Sequence, residues 1–346
     1  MRIAHFYAKC ANLGDKGSAL GIQTILRSIR GDIEFVEFNV QSRNLSWLDA
    51  RRLGREFDAL MVGGGGLLYN RPKRASKFYL NLSLPQYKRL SLPKCFFGVG
   101  LNAEHSQDQR WRMTDDTRES IRLFLGHADL IGVRDYHTVS FLKDLDVPNV
   151  MLTACPSMFL LYDMEASGRE AILAINLTKR TIGLDRVRMV LEHLRSYAER
   201  ATLTPVFVAH HPDEDRECME VAREVGIEAY LPSSPENLMQ FYKRCFVLVG
   251  MRGHSMIYGT GASLPMVAIS YNVKCDAHMS MIGLDGYVIK ADRLGDKDLL
   301  VSKLDRLLSN RDDIEAQLTQ KKAKLYQLDR EFANKWISLV ESRGAG

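Results

Sequence analysis

The chain has no apolar run approaching the ~20 residues that a membrane-spanning helix needs. Its start, Met1-Arg2-Ile3-Ala4-His5-Phe6, reads directly as a strand rather than as a leader peptide. A cytoplasmic protein is expected, with contact to the inner face of a membrane left open through a partner or a surface patch. Cysteine is sparse: Cys10, Cys95, Cys155, Cys218, Cys245 and Cys275 include no Cys-x-x-Cys pair and no His/Cys ligand spacing. That argues against both a disulfide framework and a zinc site. Repeats of fixed period and low-complexity segments are missing too. So is one-sided charge: 47 Lys and Arg face 42 Asp and Glu, with the two signs interleaved along the chain. The resulting net charge of +5 suits anionic small molecules or anionic lipid surfaces better than duplex nucleic acid, which calls for a strongly basic face.

What is present is the pattern of a folded α/β protein. A length of 346 residues exceeds what one hydrophobic core usually serves, so two domains are expected. Apolar runs at 3–7, 33–40, 59–62, 95–99 and 130–133 alternate with amphipathic stretches, and 150–161 supplies one more strand and its exit. Near-continuous apolar strands separated by helices mean a parallel sheet covered on both faces. The short polar stretch 162–170, which contains Gly168, reads as a linker between an N-terminal domain (1–162) and a C-terminal domain (163–346). Beyond it the alternation restarts at 171–177, 205–209, 227–230, 246–250, 266–270 and 287–289. From Asp296 to about Ser342 the spacing predicts two long amphipathic helices, with Leu318, Leu325 and Leu328 as packing residues.

In open parallel sheets, ligands bind beyond the carboxyl ends of strands, where helix N-termini offer free N–H groups to anions. The residues at those places are informative. After the first strand, Asn12-Leu13-Gly14-Asp15-Lys16-Gly17-Ser18 leads to a helix predicted to start near Gly17. It lacks the P-loop and dinucleotide-binding glycine spacings, and fits a ligand role and a plain turn capped by Asp15 equally well. After the third strand stand Gly63-Gly64-Gly65-Gly66, read as a loop whose backbone approaches a ligand in preference to close helix packing. Gly98-Val99-Gly100 ends the fourth strand in the same style. Arg134 ends the fifth, either as a fork for a carboxylate or phosphate or as the partner of Asp135. In the second half, Met251-Arg252-Gly253-His254-Ser255 places a permanent cation beside a proton carrier at a helix start. Tyr271-Asn272-Val273-Lys274 adds a cation on the same sheet edge. His210-His211-Pro212 has no third ligand, so no metal is expected; Cys155-Pro156 reads as a buried thiol rather than a nucleophile.

Taken in order, Asn12 to Asp15, Gly63 to Leu68, Gly98 to Gly100, Val133-Arg134-Asp135, Met251 to His254 and Tyr271 to Lys274 resemble the polysaccharide pyruvyl transferase family over roughly 1–274. The resemblance implies a glycosyltransferase-B-like α/β fold of two Rossmann-like domains facing a cleft, with the last C-terminal helix returning to the first domain. It also implies phosphoenolpyruvate as donor substrate, no cofactor, and a sugar or lipid-linked oligosaccharide as acceptor of a pyruvate ketal in an exopolysaccharide or cell-surface glycan. Carried over, Arg134, Arg252 and His254 face the donor, while Gly14, Asp15 and the Gly63 to Gly66 loop, with Gly64, Gly65 and Gly66 as its binding residues, line the cleft on the acceptor side. Asn12, Gly253, Ser255 and Lys274 complete the substrate-binding set. Two positions depart from the family pattern: Gly253 stands where a bulky apolar residue is frequent, and Cys155 where an acid precedes the proline.

On that basis the two arginines orient the carboxylate and phosphate of phosphoenolpyruvate, and protonated His254 serves its methylene carbon or its departing phosphate. Two other functions remain open on the residues alone. One is a glycosyltransferase that takes a nucleotide sugar, with Arg252 and His254 on its diphosphate; the other is a sugar-binding scaffold without catalysis. The stretch Asn70-Arg71-Pro72-Lys73-Arg74-Ala75-Ser76-Lys77 reads as a solvated loop whose composition also permits contact with a lipid-linked acceptor.

Overall fold

Among the described residues, the predicted apolar runs form twelve strands in two separate sheets. A computed structural model describes residues 1–102, 113–164 and 168–344. Two compact units divide the chain: Met1–Cys10, Ser18–Pro156 and Leu325–Gly346 make the first, and Ala11–Gly17 with Ser157–Lys324 the second. Of the stretch expected as a linker, residues 165–167 lie outside the described residues. Arg169, just beyond, is built into the second unit through Glu315 and the carbonyls of Lys243, Cys245, Ala262 and Ser263.

The first unit holds a parallel sheet in the order β2-β1-β3-β4-β5-β6. Its strands are β1 (Arg2–Tyr7), β2 (Glu34–Asn39), β3 (Ala59–Leu68), β4 (Lys94–Leu101), β5 (Leu130–Val133) and β6 (Val150–Leu152). β1, β3 and β4 are buried nearly end to end, as strands covered on both faces must be. Local signals set the helix starts. Ser46 and Asp49 form a reciprocal capping box on α2 (Trp47–Glu56), and Ser83 with Gln86 does the same on α3 (Leu84–Arg89). α1 (Leu13–Ile29) starts four residues before the predicted Gly17. Asn12, not Asp15, takes the capping place, accepting from the Gly14 N–H at 2.8 Å. α4 (Asp115–Leu125) and α5 (Tyr136–Lys143) complete the crossovers.

The second unit repeats the plan with β7 (Ile172–Asn176), β8 (Thr204–Val208), β9 (Glu228–Tyr230), β10 (Val247–Gly250), β11 (Met266–Ser270) and β12 (Val288–Lys290). Their order is β12-β11-β10-β7-β8-β9, all parallel, which is the Rossmann order, reversing direction between β7 and β10. The connecting helices are α6 (Lys179–Arg200), α7 (Arg216–Glu224), α8 (Pro235–Arg244), α9 (Gly253–Gly261) and α10 (Val273–Met281). The two predicted C-terminal helices are α11 (Lys297–Ser309) and α12 (Arg311–Gly344), and Leu318 and Leu325 on α12 are buried.

The end of α12 is structural in the first unit. Phe332, Ala333 and Trp336 are fully buried there, and the Phe332 ring lies 4.6 Å from that of Phe97. Asp329 accepts from the Ala154 N–H at 2.6 Å, and burial holds its carboxyl well above the usual range. Among the described residues, no helix is long and apolar enough to cross a membrane.

Candidate functional site

In the second unit the strand order reverses between β7 and β10, which fixes the expected ligand crevice beyond the carboxyl ends of those strands. Gly250 pairs with Asn176 there, and Asn176 accepts from the backbone N–H groups of Met251, through its carbonyl at 2.8 Å, and of Arg252, through Oδ1 at 3.1 Å. α9 begins at this point. Its N-cap residue, Arg252, supplies no side-chain cap, and the positive end of the helix dipole lies at this end of the strand.

Arg252 is held from behind. Its Nε donates to Asp215 Oδ1 at 3.0 Å, and Nη2 donates to Asp215 and, at 3.0 Å, to Glu214. Asp215 is fully buried, and its other oxygen accepts from the N–H groups of His210 at 2.8 Å and His211 at 3.1 Å. Burial works against the Arg252 charge, but attraction to Asp215 outweighs it and keeps the guanidinium ionised. Nη1 makes no hydrogen bond to any described residue, so one edge of the fork remains for an anion.

His254, half-buried, follows in the first turn of α9 against the Asn12-Leu13-Gly14-Asp15 segment, which groups with this unit. The Leu13 N–H donates to the His210 carbonyl at 2.9 Å, and the Tyr258 hydroxyl donates to the Leu13 carbonyl at 3.1 Å. Those bonds press Gly14 onto the imidazole. A Cβ on Gly14 would overlap the Cβ, Cγ and Nδ1 atoms of His254. Two motifs some 240 residues apart thus meet at one ring. Gly14→Ala should therefore displace His254 and destabilise the protein by about 1–3 kcal/mol, the usual range for overpacking. A double-mutant cycle with His254→Ala checks this: the Gly14→Ala penalty should shrink once the ring is gone.

Lys274 and Gly253 are neighbours. Lys274 enters α10 beside Asn272, whose side chain caps that helix, and a Cβ on Gly253 would come within 3.3 Å of the Lys274 Cε. The Lys274 methylenes thus occupy the space where the family pattern has a bulky side chain. Ser255 is turned inward, donating to the Arg252 carbonyl at 2.6 Å. Asp15 is half-buried in the first turn of α1, where an acid complements the helix dipole.

His210 and His211 perform separate tasks. His210 Nε2 lies 2.8 Å from the Tyr242 hydroxyl, while His211 Nδ1 accepts from the backbone N–H groups of Asp213 and Glu214. Burial first, then the Arg252 charge, push His210 down to about 3, so it stays neutral at physiological pH.

In the first unit the strand order reverses between β1 and β3, and the glycine run lies there. It is not a loop. β3 continues through Gly63, Gly64, Gly65 and Gly66 to Leu68. Packing accounts for part of the run: a Cβ on Gly63 would strike the Phe97 carbonyl on β4, and one on Gly64 would approach the Ser18 Cβ on α1 to 2.9 Å. Gly65 has φ +93°, and Gly66 is partly exposed beside Asn102. Beneath the run, His5 Nε2 lies 2.7 Å from the Gly63 carbonyl, and burial lowers this histidine to about 4. It is therefore a neutral prop for the strand.

Arg134, also in the first unit, is almost fully buried with its Nε 3.6 Å from Asp135, the ion pair that was one of its two readings. Asp135 in turn caps α5 through Thr138, accepting from its N–H and its hydroxyl at 2.7 Å each. Gly100 lies directly under the guanidinium, where a Cβ would collide with it. The Cys155 thiol is buried 3.2 Å from the Ser18 hydroxyl.

Sequence reading missed Asp215, Glu214 and Asn176. A signal existed in each case: three consecutive acids, Asp213, Glu214 and Asp215, after the His pair, and a polar residue closing the apolar run of β7.

A family model described as polysaccharide pyruvyl transferase matches residues 12–273. No curated protein sequence matches the chain. Among solved structures, UDP-GlcNAc 2-epimerase from Neisseria meningitidis bound to UDP-GlcNAc aligns with a TM-score of 0.61 at 8% identity, covering 98% of this chain and 100% of that one. MnaA of S. aureus in a co-structure with UDP gives 0.59 at 12% identity, over 92% and 90% of the two chains. A variant of S. aureus TarM in complex with fondaparinux, alpha-GlcNAc-glycerol and UDP gives 0.53 at 14% identity, over 85% and 58%. At such identities the likeness shows the fold, two Rossmann-like α/β domains of the glycosyltransferase-B-like kind.

Proposed function

Because the chain belongs to the polysaccharide pyruvyl transferase family, and is therefore a transferase acting in polysaccharide biosynthesis, we propose that it moves the pyruvyl group of phosphoenolpyruvate onto two hydroxyls of a sugar. The observation that carries this reading is the uncapped N-terminus of α9, flanked by Arg252, His254 and, beside Gly253, Lys274. A small dianion fits that arrangement. The helix end and Lys274 attract it, and the unengaged edge of Arg252 fixes its direction. No cofactor and no metal is needed for the step.

The chemistry balances without an added reactant. The methylene carbon of phosphoenolpyruvate gains a proton, the central carbon takes oxygen bonds from two sugar hydroxyls, and the C–O bond to phosphate breaks. One hydroxyl proton goes to the methyl group and the other leaves on phosphate. His254 is the acid–base group of this scheme because an imidazole can both give and take a proton, which the Arg252 guanidinium beside it does not, and His210 is held neutral by burial. Asn12, Gly14 and Asp15 adjoin it. For Gly64, Gly65 and Gly66, and for Arg134, we assign substrate-facing roles on the edge of the first unit. The acceptor is a sugar of an exopolysaccharide or cell-surface glycan, free or lipid-linked, and the reaction takes place in the cytoplasm.

A second reading has a specific observation behind it: the fold neighbours include proteins whose structures hold UDP or UDP-GlcNAc. On that reading the same cations would meet the diphosphate of a nucleotide sugar. Donor choice separates the two. A ligand present at about a hundred times its dissociation constant stabilises the folded protein by about 2.7 kcal/mol. Phosphoenolpyruvate should therefore raise the thermal unfolding midpoint and UDP-sugars should leave it unchanged. The reverse pattern would replace this function with glycosyl transfer.

A further inference from the structure

The chain's positive charge is not evenly spread. Residues 41–56 and 70–89 carry ten Lys and Arg against two acids, Asp49 and Glu56, an excess larger than the net +5 of the whole protein. Both segments belong to the first unit, and they are tied together. Arg74 donates to the carbonyls of Gln41 and Ser42, and Gln86 donates to that of Leu45. Between them lies a hollow of about 650 Å³ lined by Gln41, Asn70, Arg71, Pro72, Lys73, Arg74 and Tyr79, with three cations and no carboxylate in its wall.

The cations there are set for an anion. The Arg71 guanidinium is stacked 4.1 Å from the Tyr69 ring and 4.5 Å from the Tyr79 ring, and its Nε is buried without a hydrogen-bond partner. Among the described residues neither Arg71, Lys73 nor Arg74 makes an ion pair. Five residues beyond Ser42, a reach of at most about 17 Å, two exposed large apolar side chains stand side by side. Trp47 is 46% and Leu48 70% exposed. They open α2, whose outer stripe continues with Arg51, Arg52 and Arg55, all exposed, while Ala50 and Leu53 face the core. Arg89 covers the Trp47 ring at 4.9 Å.

We propose that this face docks on an anionic lipid surface, with Trp47 and Leu48 set at headgroup depth and the hollow of Arg71, Lys73 and Arg74 receiving lipid phosphate. An indole prefers the interface, where its apolar body and polar N–H are both served. A basic helix with an apolar tip is the usual form of a segment lying on a bilayer. Duplex nucleic acid would match the charge but would leave Trp47 and Leu48 in water. Docking of this face is independent of the reaction the protein catalyses.

Co-sedimentation of the full chain with vesicles of phosphatidylcholine, with and without phosphatidylglycerol, tests it. The protein should sediment with the anionic vesicles and not with the neutral ones, and raised salt should weaken the association. Trp47→Ala/Leu48→Ala and, separately, Lys73→Glu/Arg51→Glu, all at exposed positions, should each reduce binding by about tenfold or more. Unchanged binding by both variants, equal binding to neutral vesicles, no binding at all, or tighter binding to a short DNA duplex would overturn the proposal.

Discussion

Replacing His254 with Ala should lower pyruvyl transfer by about two to four orders of magnitude, the contribution a positioned acid–base group makes, while the thermal midpoint stays near that of the parent. The ring is half-buried and lies on Gly14, so truncation removes a tight contact and leaves the helix start in place. Phosphate release from phosphoenolpyruvate in the presence of an acceptor glycan reads the first quantity, and a melting curve the second. A folded His254→Ala protein with parental turnover would remove His254 from the mechanism and leave the helix end and its cations as a binding site only.

The largest effect on stability should come from Asp215→Ala. Asp215 is buried with both oxygens engaged, one by the Arg252 fork and one by two backbone N–H groups. Removing one partner of such a pair leaves a buried charge uncompensated, which costs about 3–5 kcal/mol. The denaturation midpoint in urea should fall accordingly, and donor binding should weaken because Arg252 loses the brace that directs its remaining edge. Glu214 is more exposed and contacts only Nη2, so Glu214→Gln should cost far less. Equal effects from the two substitutions would mean that burial at Asp215 does not decide how Arg252 is held.

Period and composition were enough to read the strands, because a strand buried on both faces has to be apolar along its length. The runs at 130–133 and 266–270 coincide with β5 and β11. The third strand was read as ending at Val62, six residues short of Leu68, since four glycines carry no β-forming side chains and only the neighbours they admit, Phe97 and Ser18, show that they are strand. The site was partly legible, because a cation at a strand's carboxyl end is conspicuous in an apolar background. Its supports were not. Asp215 precedes Arg252 by 37 positions and Gly14 precedes His254 by 240, and no local pattern encodes pairings at such range. The basic stretch 70–77 was legible along the sequence, whereas the wider surface exists only once 41–56 and 70–89 are brought together.

The placement of the last helix has a bearing on the order in which the protein can be made. The first sheet is complete once Leu152 has left the ribosome, yet Phe97, Gly132 and Ala154 await Phe332 and Asp329, nearly 180 residues downstream. Until those residues emerge, the hydrophobic surface that Phe332, Trp336 and Val340 cover stays bare. Domains commonly fold in sequence from the N-terminus as synthesis proceeds. Here the earlier half cannot close its core before Phe332, Trp336 and Val340 have emerged, by which point the second sheet, whose strands lie between Ile172 and Lys290, already has every strand it needs.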